Sequence, residues 1–118
     1  MTQLMAQKCV ACRRDSPHVT PDEVVELHPQ VPEWSITDED GIPKLRRSYK
    51  FLNFQQALDF TNAVGAAAEE ENHHPRLVTE WGKVAVTWWT HKIKNIHRND
   101  FIMAAKTDQI YSPFAPED

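Results

Sequence analysis

Residues 71–91 read ENHHPRLVTEWGKVAVTWWTH, and their reading decides the fold. Pro75 disfavours the helical conformation at the residue before it, so the helix-forming run that enters this stretch through AAAEEEN must stop there. That places His73 in the last helical turn and holds His74 extended. Two strand-like runs follow, RLVTEW and KVAVTWWTH, joined at Gly82 as a hairpin. In the second run Val84, Val86 and Trp88 fall on one face, and Ala85, Thr87, Trp89 and His91 on the other.

The same grammar extends upstream. Asn53, with Gln56 three residues on, reads as a capping box that starts the long helix. Phe54, Ala57, Leu58, Thr61, Val64, Gly65 and Ala68 recur at helical spacing along it and form a stripe that faces a core. Before it, EWSITDEDG at 33–41 alternates and then turns at Asp38-Glu39-Asp40-Gly41, with IPKLRRSYKF at 42–51 as the hairpin partner. Thr20-Pro21-Asp22-Glu23 is another capping box, opening a short helix that Pro29 and Pro32 end. Downstream, Phe101, Ile102, Ala105 and Ile110 predict a last helix from about Asn99 to about Ile110.

The order is therefore α-β-β-α-β-β-α. It specifies an α+β domain, a four-stranded and mostly antiparallel sheet with three helices packed on one face. Residues 20–112 form the domain, 1–19 a flexible leader, and 113–118 a fraying tail. The outer strands leave edges able to pair with a second copy, as a homodimer or homotetramer.

The chain has 118 residues, 41% of them hydrophobic and 25% charged, in keeping with one ordinary globular domain. Its formal charge of −4 gives no broad electrostatic footprint for nucleic acid or an anionic membrane. No apolar run is long enough to span a bilayer and the N-terminus has no signal-peptide core, so a cytoplasmic protein is expected. The two cysteines, Cys9 and Cys12, make a lone Cys-x-x-Cys in the leader. No second pair follows to complete a zinc site, and His18 and His28 lie at unusual spacing for it, so two reduced thiols are the expectation.

The histidines carry the chemistry. His73 at a helix C-terminus meets the negative end of the macrodipole, and Glu69 four residues earlier lies on the same helical face; both favour an imidazolium, which suits a general acid. His91, at a strand end, and His74, held extended by Pro75, are placed to meet it in one cleft. Three readings stay open on the residues alone: acid–base catalysis, a three-histidine zinc site, and surface histidines with no chemistry.

Glu69-x-x-x-His73-His74-Pro75, followed by a hairpin and Thr90-His91, resembles the signature of the pterin-4a-carbinolamine dehydratases, also known as dimerisation cofactors of a homeodomain transcription factor. The eighteen residues from His73 to His91 fit, as does Asp100 at the start of the last helix, and the likeness spans roughly residues 20 to 112. Glu33-Trp34 replaces the family's usual Gly-Trp, Asn72 stands where aspartate is common, and Leu77 where an aromatic residue is common. The leader resembles an extension of some bacterial members.

The resemblance implies loss of water from 4a-hydroxytetrahydrobiopterin to give quinonoid dihydropterin, recycling the pterin of aromatic amino acid hydroxylases without metal or redox cofactor. It implies that His73 and His91 are general acids for the two faces of the pterin. His74 binds substrate with some base character, and Glu69 orients His73. Trp34 or Trp89 supplies an apolar wall, with Asp100 also at the substrate. Family members that act as coactivators or in protein assembly make a non-catalytic binding module the alternative.

Overall fold

Thr20 opens the first helix as the sequence specifies. Its hydroxyl accepts from the Glu23 amide and its amide donates to the Glu23 carboxylate, each at 3.1 Å, capping α1 (Pro21–Leu27). A short 3₁₀ turn, His28–Gln30, follows. In the computed structural model, which describes Leu4 and residues 19–115, β1 (Ser35–Glu39) and β2 (Ile42–Lys50) then form a hairpin. Its two-residue loop, Asp40-Gly41, has φ of 55° and 81°, the paired positive values that match the twist of the strands.

α2 (Phe54–Glu71) follows, then β3 (Arg76–Glu80), β4 (Lys83–Trp88) and α3 (Arg98–Tyr111). The sheet order is β1-β2-β4-β3 and every pairing is antiparallel. Leu45 opposite Trp88 and Tyr49 opposite Val84 set the register of the two central strands, and these residues share the face that the helices cover. Gly82 turns the second hairpin at φ 71°, with its carbonyl accepting from the Phe51 amide. The α+β architecture is as the sequence specifies.

The core joins Leu45, Tyr49, Val84, Val86 and Trp88 of the sheet to Phe60 and Val64 of α2 and Phe101 and Ile102 of α3. Burying each such side chain contributes about 1.5–3 kcal/mol. Asp108 of α3 draws the far end together: one carboxylate oxygen accepts from Trp34 Nε1, Arg47 Nη1 and Tyr49 Oη. Burial, and then the Asp108 charge, push the Tyr49 hydroxyl well above its ordinary pKa, so it stays a donor.

Four local expectations change. Gln56 does not complete a capping box with Asn53; Asn53 caps the Gln56 amide, while the Gln56 side chain reaches one residue further, to the Leu52 amide. Within the expected leader, Leu4 is buried in the core; Cys9 and Cys12 lie outside the described residues. The tail does not fray at once: Ser112–Phe114 make a 3₁₀ turn, and the Phe114 ring meets Phe51 and Phe60 edge-on at 5.9 and 6.0 Å. Finally, α2 stops before His73. Asn72 takes the left-handed conformation (φ 51°), and the His73 amide donates back to the Ala68 carbonyl, a Schellman-type stop.

Candidate active site

The left-handed Asn72 turns the chain out of helical phase, and that redirects both histidines. Glu69, four residues before His73, does not pair with it. Its carboxylate lies 3.4 Å from His74 Nε2, on the surface, with both side chains more than half exposed. The helical spacing that would stack His73 over Glu69 ends one residue too early.

His73 instead turns inward and is buried. Its ring lies parallel to Trp88, centroids 5.7 Å apart at an interplanar angle of 6°. Nε2 is 2.6 Å from Asp100 Oδ1, and since a carboxylate accepts, the nitrogen donates. The other oxygen, Oδ2, accepts from the Thr90 hydroxyl and the His97 amide, both at 2.9 Å. Asp100 therefore has no exposed surface and no oxygen turned to solvent, which corrects its expected place at the substrate: it lies beneath His73.

Four elements build this corner. The α2 stop delivers His73, and β4 delivers Trp88 before running on to Thr90. A bridge from Thr90 to Asn95 closes the turn that carries His91, and α3 begins at His97. His97 is its N-cap, with Nδ1 accepting from the Asn99 amide at 3.0 Å. Burial pushes the His97 imidazole below its ordinary pKa of 6.5, against the pull of Asp100 and with the help of His73.

His91 belongs to the other side of β4. It sits in the turn after the strand and stacks on Trp89 (4.3 Å, 30°). Trp89 alternates with Trp88, so the two indoles point to opposite faces of the sheet. Lys44 Nζ lies 4.0 Å from the Trp89 centroid and Arg76 Cζ 5.6 Å. Lys44 is only 7% exposed. Arg76 grips Glu39 with Nη2 at 2.7 and 3.1 Å, so a residue of one edge strand spans the open face to the other. The Arg76 hydrogen bond, followed by the charges around it, holds the Glu39 carboxyl below its ordinary value.

Trp34 is not part of either cluster. It is 1% exposed, its ring meets Tyr49 edge-on at 6.2 Å, and its nitrogen is taken by Asp108, so it has no face for a ligand. An apolar groove of about 470 Å³ between α1 and the turn after it is lined by Val24, Val25, His28, Pro29 and Pro32. Its one histidine is tied to the Trp34 carbonyl at 2.6 Å. Among the described residues, no three His, Cys, Asp or Glu side chains gather as a metal cradle.

Residues 17–110 match the family model for pterin 4 alpha carbinolamine dehydratase. The chain belongs to this family.

Two bacterial relatives share most of their length with it. A Nitrosococcus oceani protein is 59% identical over 110 residues (93% of this chain, 97% of the relative), and a Microcystis aeruginosa protein 54% identical over 111 (94% and 96%). Both carry the name "Putative pterin-4-alpha-carbinolamine dehydratase". Among solved structures, a Brucella melitensis protein described as a transcriptional coactivator/pterin dehydratase superposes with a TM-score of 0.71 at 30% identity, covering 80% of this chain and 98% of that one. A pterin dehydratase-like protein identified as a RuBisCO assembly factor in the alpha-carboxysome has a TM-score of 0.56 at 22% identity, with 66% and 90% covered, a likeness of fold alone.

Sequence reasoning gave no role to Thr90, which it met only beside His91, and none to His97, Lys44 or Arg76. A sequence signal existed for His97, which stands three residues before Asp100 at the head of a helical pattern, the spacing of a capping box. Lys44 and Arg76 gave none, because their partner Trp89 lies on a strand between theirs.

Proposed function

We propose that the protein dehydrates 4a-hydroxytetrahydrobiopterin, using His73 and His91 as proton donors to the leaving oxygen on opposite faces of the pterin. What carries this reading is the family match over residues 17–110 together with His73, His74 and His91 standing where the motif has them. In the fold His73 and His91 sit on the neighbouring Trp88 and Trp89 at the exit of β4. Breaking the bond from carbon 4a to oxygen requires a proton on the departing hydroxide, which leaves as water. The ring nitrogen then loses its proton, and quinonoid dihydropterin results. Proton transfer alone completes this reaction.

His73 gives Nε2 to Asp100, leaving Nδ1 on the opposite edge of the ring for substrate. Asp100, held by Thr90 and the His97 amide, keeps that ring at a fixed angle. His74, exposed beside Glu69, binds the pterin, and Trp89 supplies a flat wall backed by Lys44 and Arg76. Glu69 acts on His74.

The protein works in the cytoplasm, serving an aromatic amino acid hydroxylase and needing no nucleic acid. It self-associates through β3, because antiparallel pairing of two copies centred on Val78 would set Arg76 opposite Glu80, whereas β1 would bring its acidic end to the seam. A binding role as coactivator is the second reading, favoured by the description of the Brucella melitensis protein as a transcriptional coactivator/pterin dehydratase.

Dehydration of chemically generated 4a-hydroxytetrahydrobiopterin, followed with and without a strong chelator, tests the proposal. Catalysis that survives chelation supports it. Loss on chelation with recovery on zinc would establish the metal alternative, and absence of catalysis would favour the binding role.

A further inference from the structure

His97 is a buried imidazole that the reaction above does not use, and it does the work of a helix cap. Most caps are hydroxyls, amides or carboxylates, which accept a backbone amide across the neutral pH range. An imidazole accepts only while the accepting nitrogen is bare. Here Nδ1 faces the Asn99 amide at 3.0 Å, so a proton on Nδ1 would set donor against donor. The cap exists in the neutral ring alone.

The cap is coupled to the proposed acid. The same residue's backbone amide holds Asp100 Oδ2, and Asp100 Oδ1 holds His73 Nε2. One carboxylate thus joins the His73 ring to the backbone of His97. The charged groups acting on the His97 ring are Asp100 from α3, His73 from the link between α2 and β3, and Glu23 from α1. The backbone pins the corner too, with the Val19 amide donating to the Ile96 carbonyl next to His97.

We propose that His97 is a positioning residue for His73, whose neutral ring caps α3 and thereby fixes Asp100, and whose protonation releases both. This extends the reading of His73 as a proton donor and rests on it only for its catalytic consequence.

The sign follows from the lowered His97 pKa. As pH falls below the ordinary value of 6.5, the unfolded chain takes up a proton that the folded chain refuses, so stability declines with acid from that point downward. Once the folded ring is protonated, the cap is lost and Asp100 is drawn toward His97, away from His73.

The test compares wild type with His97→Ser, which restores a cap that does not titrate, and His97→Ala, which has none. The deciding measurement needs no substrate: the downfield Nε2 proton of His73, followed by NMR from pH 7.5 to 5. We expect it at neutral pH in wild type and His97→Ser, broadened or shifted in His97→Ala, and lost on acidification in wild type only. In the dehydration assay, His97→Ala should lower kcat by roughly ten- to a hundredfold with little change in KM, and His97→Ser should recover most of it with a flatter acid limb. An identical His73 signal and acid titration in all three proteins would overturn the proposal. Absence of dehydration would sink the assigned reaction instead, and the NMR series would still decide the coupling. Should His97→Ala fail to fold, the comparison of wild type with His97→Ser decides.

Discussion

The two sides of β4 hold their histidines in opposite ways. On the helix side His73 is buried on Trp88, and its nitrogen is locked to a carboxylate with no exposed surface. On the open side His91 is exposed and rests on Trp89 by a ring contact alone, with cations around the indole. Adjacent tryptophans, differing only in strand parity, thus create one rigid and one adjustable site for the same side chain. The rigid one depends on long-range partners; the adjustable one depends on a neighbour two residues away. Precision in the first comes from a hydrogen-bond network in low dielectric, where a half-satisfied carboxylate is costly.

The comparison can be broken most severely by removing both imidazoles. His73→Ala with His91→Ala should bring dehydration close to the uncatalysed rate, since each positioned acid contributes about a hundred- to ten-thousand-fold. Retention of wild-type activity by the double variant would end the account of both sides at once.

Next in size is the cost of the rigid side itself. Asp100→Ala leaves three buried donors without their acceptor, and stability should drop by about 3–5 kcal/mol, read from denaturant midpoints. The corresponding change on the open side, Trp89→Leu, should cost little stability and instead raise KM roughly two- to tenfold, the worth of one ring contact. Equal stability losses at the two positions would erase the distinction between them.

The smallest effect belongs to the exposed pair. Glu69→Ala should change stability by less than about 1 kcal/mol, because its partner His74 is in water. It should change the affinity for both pterin isomers alike. A selective loss of the His73-dependent isomer would return Glu69 to the helical pairing that its spacing suggests. Acid sharpens the same contrast: Arg76 holds the Glu39 carboxyl below its ordinary value, so the bridge across Trp89 persists below the usual carboxylate range, whereas the His97-linked loss of stability begins at the ordinary imidazole value.

The fold was legible because its signals are local. Thr20, Asn53, Asp40-Gly41, Gly82 and Pro75 each act within a few residues, and alternation along the strands sorted Trp88 from Trp89 correctly. That one histidine pair follows a helix end and another histidine follows a strand end was legible for the same reason. Their partners were not. His73 meets Asp100 across 27 positions of chain, and nothing in the periodicity of either segment announces that contact. The error over Glu69 came from choosing Pro75 as the helix stop when Asn72, a residue that tolerates positive φ, ends it earlier. Trp34 misled differently: its alternation was read well, but pattern alone does not say whether a strand face meets a ligand or a helix.

The most direct test follows the two 4a-hydroxy stereoisomers separately in the single variants. With His73 and His91 as acids for opposite faces of the pterin, His73→Ala should lose about a hundred- to ten-thousand-fold on one isomer and far less on the other, and His91→Ala should show the reverse preference. If both variants slow both isomers equally, the two-sided arrangement is not how the protein uses its histidines.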